Sequence, residues 1–120
     1  MEKVLDHRVI EELLWFADDG DPELLVDLIQ MFLEDGPAKV EAVSTGLASG
    51  NFDMAERAAH SLKGSSGSLG AKLVQAICGQ IEETTHMREL EASRLLAPKL
   101  ELSYAAAEQA LKLVLAEHQN

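Results

Sequence analysis

The residue best placed to do chemistry is a histidine, in the run Ala59-His60-Ser61-Leu62-Lys63-Gly64-Ser65-Ser66. Neutral imidazole is a nitrogen nucleophile near pH 7, because its unperturbed pKa is about 6.5. If the run is helical, each residue turns about 100° around the axis. With His60 at zero, Ala58, Leu62 and Leu69 fall within roughly 20° of the opposite direction and Ala55 within about 40°. The apolar stripe then lies behind the imidazole, which faces solvent. Asp53, Glu56, Arg57, Lys63, Gly64 and Gly67 share its side of the helix, all within roughly 60°.

Gly64 and Gly67 stand one and two turns beyond His60 and leave the flank of the ring bare. Each costs a helix about 1 kcal/mol against alanine. A helix that keeps both has room for something bulky to reach the imidazole. Arg57 and Lys63 add local positive charge to a chain of net charge −11. The set suits a phosphoryl acceptor: Lys63 can donate to the phosphoryl oxygens, and the glycines leave space for in-line transfer. A solvated surface histidine fits the same angles, so geometry alone leaves both readings open.

Other candidates carry less. His7, His86 and His118 are not at ligand spacing with one another, and zinc wants several converging ligands, so no metal site is expected. Cys78 falls in an apolar stripe with Val74 and Ile81 and reads as a buried structural thiol. Gly64-Ser65-Ser66-Gly67-Ser68-Leu69-Gly70 has neither the order of a P-loop nor a strand before it. Asp18, Asp19, Asp21, Asp27, Glu34 and Asp35 read as a solvated face.

These residues need a scaffold, and the composition favours helices. Hydrophobic residues make up 47% of the 120 residues but aromatics only 4%, too few for a sheet. A first helix is expected over 6–17, with Val9, Ile10, Leu13, Leu14, Trp15 and Phe16 as its apolar side and Asp18-Asp19-Gly20 as its break. A second opens at Asp21-Pro22-Glu23, where an N-cap, a first-turn proline and an acidic first turn agree, and ends at Asp35-Gly36-Pro37. A third runs from about Pro37 to Ser49, with Gly50 as its stop. The histidine helix follows from Asn51, a fifth covers about 71–86, and a sixth about 91–117, kinked or delayed by Pro98. The loops are short, so neighbours should pack antiparallel, in one domain over 1–120.

The excess of acidic residues disfavours nucleic acid and anionic membrane surfaces as partners. No apolar run approaches the roughly 20 residues of a membrane span, and the N-terminus lacks a signal peptide's apolar core, so a cytoplasmic location is expected. Met1 and the absence of a linker favour a free-standing domain, and one bundle can bury these stripes as a monomer.

The block Ala59-His60-Ser61-Leu62-Lys63-Gly64-Ser65-Ser66 with Leu69-Gly70-Ala71 resembles, in order and spacing, the signature of histidine-containing phosphotransfer (HPt) domains. Asp21-Pro22-Glu23-Leu24, Gly50-Asn51-Phe52, and Cys78 with Glu82 look family-like as well. The resemblance implies an all-α, antiparallel, up-down four-helix bundle with additional short N-terminal helices. It implies phosphorylation of His60 on Nε2, from a receiver-domain aspartate and on to another receiver, in a phosphorelay between a hybrid sensor histidine kinase and a response regulator. It implies no kinase or ATPase activity of its own and no cofactor, the Mg²⁺ belonging to the receiver. Lys63 would lie near the phosphoryl oxygens, Gly64 would give the receiver room, and Arg57 and Gly67 would flank the acceptor. Trp15 with Leu13, Leu14 and Phe16 reads as core, and Leu13 or Leu14 is alternatively a candidate for a partner-docking patch. Gly67 departs from the family pattern and should weaken the helix end; Glu56 would oppose an added phosphate unless Arg57 or Lys63 offsets it. A non-catalytic acidic adaptor, which binds receivers without transfer, is the competing function.

Overall fold

The computed structural model of the protein describes residues 4–15 and 21–118. These form five helices: α1 His7–Trp15, α2 Glu23–Ser49, α3 Phe52–Ser68, α4 Lys72–His86 and α5 Leu90–His118. Helices α2 to α5 are the antiparallel four-helix bundle, each packed on the next with α5 closing against α2; α1 is a short addition packed on α2. Phe16 and the expected break at Asp18-Asp19-Gly20 lie outside the described residues.

Three connections are tight for the same backbone reason. Gly50 takes a left-handed conformation (φ 74°), and the N–H groups of Gly50 and Asn51 donate to the carbonyls of Leu47 and Gly46. The Asn51 side chain then caps α3 by accepting from the Met54 N–H at 3.1 Å. Gly70 (φ 76°) ends α3 in the same way, its own N–H and that of Ala71 donating to Gly67 and Ser66. Arg88 does so after α4 with φ 60°, an uncommon conformation for a side chain with a Cβ.

The break expected at Asp35-Gly36-Pro37 does not occur: α2 runs through it as one helix of 27 residues. Pro37 removes one intrahelical donor, the one that would have met the Leu33 carbonyl, yet the helix runs on through it. Tyr104 on α5 is buried, stacks on Phe32 with ring centroids 5.0 Å apart, and donates its hydroxyl to the Phe32 carbonyl at 2.8 Å. Gly36 is buried beneath that hydroxyl. Pro98 likewise sits inside a continuous α5.

The core draws Leu25, Ile29, Phe32, Val43 and Leu47 from α2 and Leu62, Val74, Ile81, Leu100 and Leu111 from the other helices. Helix α3 faces it with Ala55, Ala59, Leu62 and Ser66. These are mostly small residues, and Gly46 on α2 admits the Ala55 backbone closely. Cys78 is buried, as expected, and burial pushes its thiol up to about 12. Trp15, expected in the core, is instead 83% exposed. A nine-residue helix has one buried face, and Ile10 with half-buried Leu13 and Leu14 occupies it.

Asp6 fastens α1 to the turn after α3. Its N–H donates to the Gly70 carbonyl at 2.8 Å, and its carboxylate caps the Arg8 N–H and meets Lys72 Nζ at 2.7 Å. Lys72 and then Arg8 hold this carboxyl well below the usual range.

Two outcomes follow. Helical Gly→Ala ordinarily gains about 1 kcal/mol, but Gly36→Ala should lose about 1–3 kcal/mol in urea denaturation, because its methyl overlaps the Tyr104 hydroxyl. Asp6 has a depressed pKa, so its contribution is present above the unfolded value near 4 and lost as pH falls. Asp6→Asn should therefore melt below the parent at pH 7, and the gap should begin to narrow below about pH 4 and remain open at pH 3, because the folded-state carboxyl is still ionised there.

Candidate functional site

His60 projects from the side of α3 away from its buried stripe, with its side chain 72% exposed. The ring is held at one nitrogen: Nδ1 lies 3.0 Å from Glu82 Oε2 on α4. Glu82 is ionised at neutral pH, so Nδ1 carries the proton and donates, which leaves the Nε2 lone pair free. No hydrogen-bond partner meets Nε2 among the described residues.

The other oxygen of the same carboxylate is buried and accepts no well-directed hydrogen bond among the described residues, but Lys63 Nζ stands 2.7 Å from it as an ion pair. Burial raises the Glu82 carboxyl, but Lys63 and His60 together outweigh it and hold the group below its ordinary value. One carboxylate thus fixes both the tautomer of the His60 ring and the position of the ammonium beside it. Gly79 of α4 lies opposite the Lys63 stem; the nearest atom to a Cβ built there is Lys63 Cδ, at 3.8 Å, an ordinary contact.

The two glycines of α3 have different surroundings. A Cβ on Gly64 would meet nothing within 4 Å, and helical side chains lean toward the N-terminus, so a side chain there would cover the turn that bears His60. Gly67 does not face open space, contrary to the expected bare flank: its Cβ would come within 2.5 Å of the Gln75 amide nitrogen. Nor does Gly67 loosen the helix end, because α3 continues to Ser68 and closes on the Gly70 turn.

Arg57 is exposed, on the acceptor's side of α3, and makes no ion pair among the described residues. Glu56 is engaged by His86 Nδ1 at 3.2 Å. Leu13 and Leu14 are half-buried against the core on α1. Beside the Gly64 edge, a groove between α2 and α3 is lined by Leu28, Met31, Lys39, Ser65 and Ser68. Sequence reasoning noted Glu82 only as family-like and gave Gly79 and Gln75 no part. All three lie on α4, and the available signal was the tight turn at Gly70, which sets α3 and α4 antiparallel about Ala71.

A family model described as Hpt domain matches residues 27–116. The chain belongs to the Hpt domain family. It is 29% identical over 104 residues to histidine-containing phosphotransfer protein 2 of Arabidopsis thaliana, covering 84% of this chain and 67% of that protein. It is 31% identical over 80 residues to histidine-containing phosphotransfer protein 1 of Oryza sativa subsp. japonica, covering 65% and 54%. Multistep phosphorelay regulator 1 of Schizosaccharomyces pombe is 23% identical over 113 residues, covering 94% of this chain and 38% of that protein. The chain therefore spans between 38% and 67% of the length of these relatives. The crystal structure of histidine-containing phosphotransfer protein B from Pseudomonas aeruginosa PAO1 superposes with a TM-score of 0.87 at 24% identity, over 99% of this chain and 100% of that one, and shares the fold. No described helix is long and apolar enough to cross a membrane.

The two glycines of this Hpt domain separate experimentally. Gly64→Ala should stabilise the protein by up to about 1 kcal/mol, because it gains helix propensity in open space. Gly67→Ala should gain less or lose, because Gln75 must swing away first. Thermal melts of the two single variants check the order.

Proposed function

We propose that His60 is the phosphoryl acceptor of a multistep phosphorelay. The observation that carries this reading is the ring itself: exposed, anchored through Nδ1 to Glu82, with Nε2 unengaged. In the forward step the Nε2 lone pair attacks the phosphorus of a receiver's aspartyl phosphate. The N–P bond forms, the aspartyl O–P bond breaks, and the carboxylate leaves with the electron pair. Nδ1 keeps its proton, and Glu82 offsets the positive charge that develops on the ring. Transfer to the next receiver reverses these changes.

Lys63 supplies a donor near the phosphoryl oxygens without moving far, since it already stands on the carboxylate that holds the ring. Gly64 leaves the approach open. Arg57 adds positive charge at the rim. Gly67 acts in the packing of α3 on α4 rather than in access.

The partners are response-regulator receiver domains and a hybrid sensor histidine kinase. The Mg²⁺ needed for transfer belongs to the receiver's acidic pocket, and this chain carries no kinase or ATPase activity of its own. Docking uses the α2–α3 groove beside Gly64, where exposed Met31 offers apolar contact, with Leu13 and Leu14 of α1 as a further candidate edge. The protein works in the cytoplasm as a monomer, one bundle supplying a continuous core, although Leu95, Leu102 and Leu113 of α5 stay exposed.

The decisive measurement is transfer of label from a receiver domain charged on its aspartate. The parent should acquire acid-labile, base-stable phosphate, and His60→Gln should acquire none. Equal labelling of His60→Gln would exclude His60 as the acceptor, and an unlabelled parent would favour the adaptor. Lys63→Ala should slow transfer about tenfold, the scale of one charge-assisted hydrogen bond. Gly64→Leu should slow transfer while helicity stays at the parent level.

A further inference from the structure

Glu56 stands one turn before His60 on α3 and on the same side of the helix, where Cβ atoms lie about 5–6 Å apart. A free carboxylate there would harm the acceptor in two ways. It could compete with Glu82 for the Nδ1 proton and so turn the ring. Its charge would also oppose an arriving group of charge about −1.5 to −2. Glu56 is instead held from across the helix pair: the bond leaves its charge in place but fixes the carboxylate on a partner other than the His60 ring. His86, one turn beyond Glu82 on α4, places Nδ1 3.2 Å from Glu56 Oε1.

The two antiparallel helices thus present His60 with Glu82 and, on the next rung, the reversed pair Glu56 with His86. The rung after that repeats the arrangement. Arg88 Nη2 is 3.8 Å from Asp53 Oδ1, the next carboxylate on the acceptor's side of α3, and its guanidinium lies over the Phe52 ring at 5.1 Å. Every carboxylate on that side of α3 is therefore met by a donor from α4 or the turn after it.

We propose that His86 is a positioning residue for His60: it holds Glu56 off the acceptor ring and out of the path of the phosphoryl group. It touches no reacting atom, and a neutral ring in the Nδ1–H tautomer already makes the required bond. His86 is not read as a second acceptor, because it ends α4, where the helix dipole opposes an added anion. The inference rests on His60 being the acceptor.

Potassium phosphoramidate is the probe, a small donor that phosphorylates histidine without a docking partner. The full chain is treated with it, and phosphohistidine is followed by phosphorus NMR, with its position mapped by mass spectrometry. His86→Ala should lower the rate of labelling at His60 about threefold at low salt, the scale of one unscreened surface carboxylate. Adding Glu56→Gln to His86→Ala should restore the parent rate. His86→Gln, which keeps a donor, should fall between. An unchanged rate in His86→Ala overturns the inference, and so does a slow rate that Glu56→Gln fails to rescue, or label mapped to His86 itself. A parent chain that takes no label at His60 would count against the acceptor reading instead, and no variant is needed to see it.

Discussion

Two helices approach closely enough for one carboxylate to serve both a histidine and a lysine of its neighbour, and the site depends on that approach. Glu82 is mostly withdrawn from water, and a buried carboxylate is costly unless its oxygens are met. Here His60 meets one oxygen and Lys63 the other. The His60 contact lies at the surface, whereas Lys63 answers the carboxylate oxygen that is withdrawn from water. Removing either leaves the other to answer it alone. The ring, the ammonium and the carboxylate are best regarded as one unit, set by the α3–α4 spacing.

That spacing comes from small residues. Ala55, Ala59 and Ser66 let α3 sit deep in the bundle, and Gly67 accommodates Gln75. The turn at Gly70 fixes the register, so residues equally distant from Ala71 face each other: Gly67 with Gln75, Lys63 with Gly79, His60 with Glu82, Glu56 with His86. Gly70 can hold this turn because it adopts φ 76°. The turn is pinned from outside by Asp6, which brings the N-terminal helix into the same arrangement without a part in the chemistry.

Helix starts and stops governed by local backbone chemistry were largely legible from the residues alone: Gly50 and Asn51 act as their types predict, and Asp21 accepts from the Glu23 N–H, although Pro22 stands at the cap position, one residue before the place expected for it. What misled was a local signal overruled from a distance. Gly36-Pro37 is a breaker by composition, yet the reason for its glycine is a tyrosine hydroxyl on another helix. Trp15 is apolar by type, but a nine-residue helix has no second buried face to offer it. The same division runs through the site. His60's exposure follows from its own helix, since the stripe behind it is on the same segment. Glu82 and Gln75 belong to the neighbouring helix, so no angle measured around α3 alone could reveal them.

A carrier must release what it accepts, and this constrains how much a site can offer. A cavity that enclosed the phosphoryl group with many donors would bind it too well to pass it on. Here the protein supplies a ring of fixed tautomer, one ammonium and an open edge at Gly64, while the core lies entirely on the opposite side of α3. Separating chemistry from packing has a further consequence. A chain of net charge −11 must keep its own carboxylates from repelling the group it handles. It does so rung by rung along one helix seam, spending surface residues and leaving the core untouched. Fold and transfer can then be altered independently, except at Glu82 and the small residues that bring the two helices together.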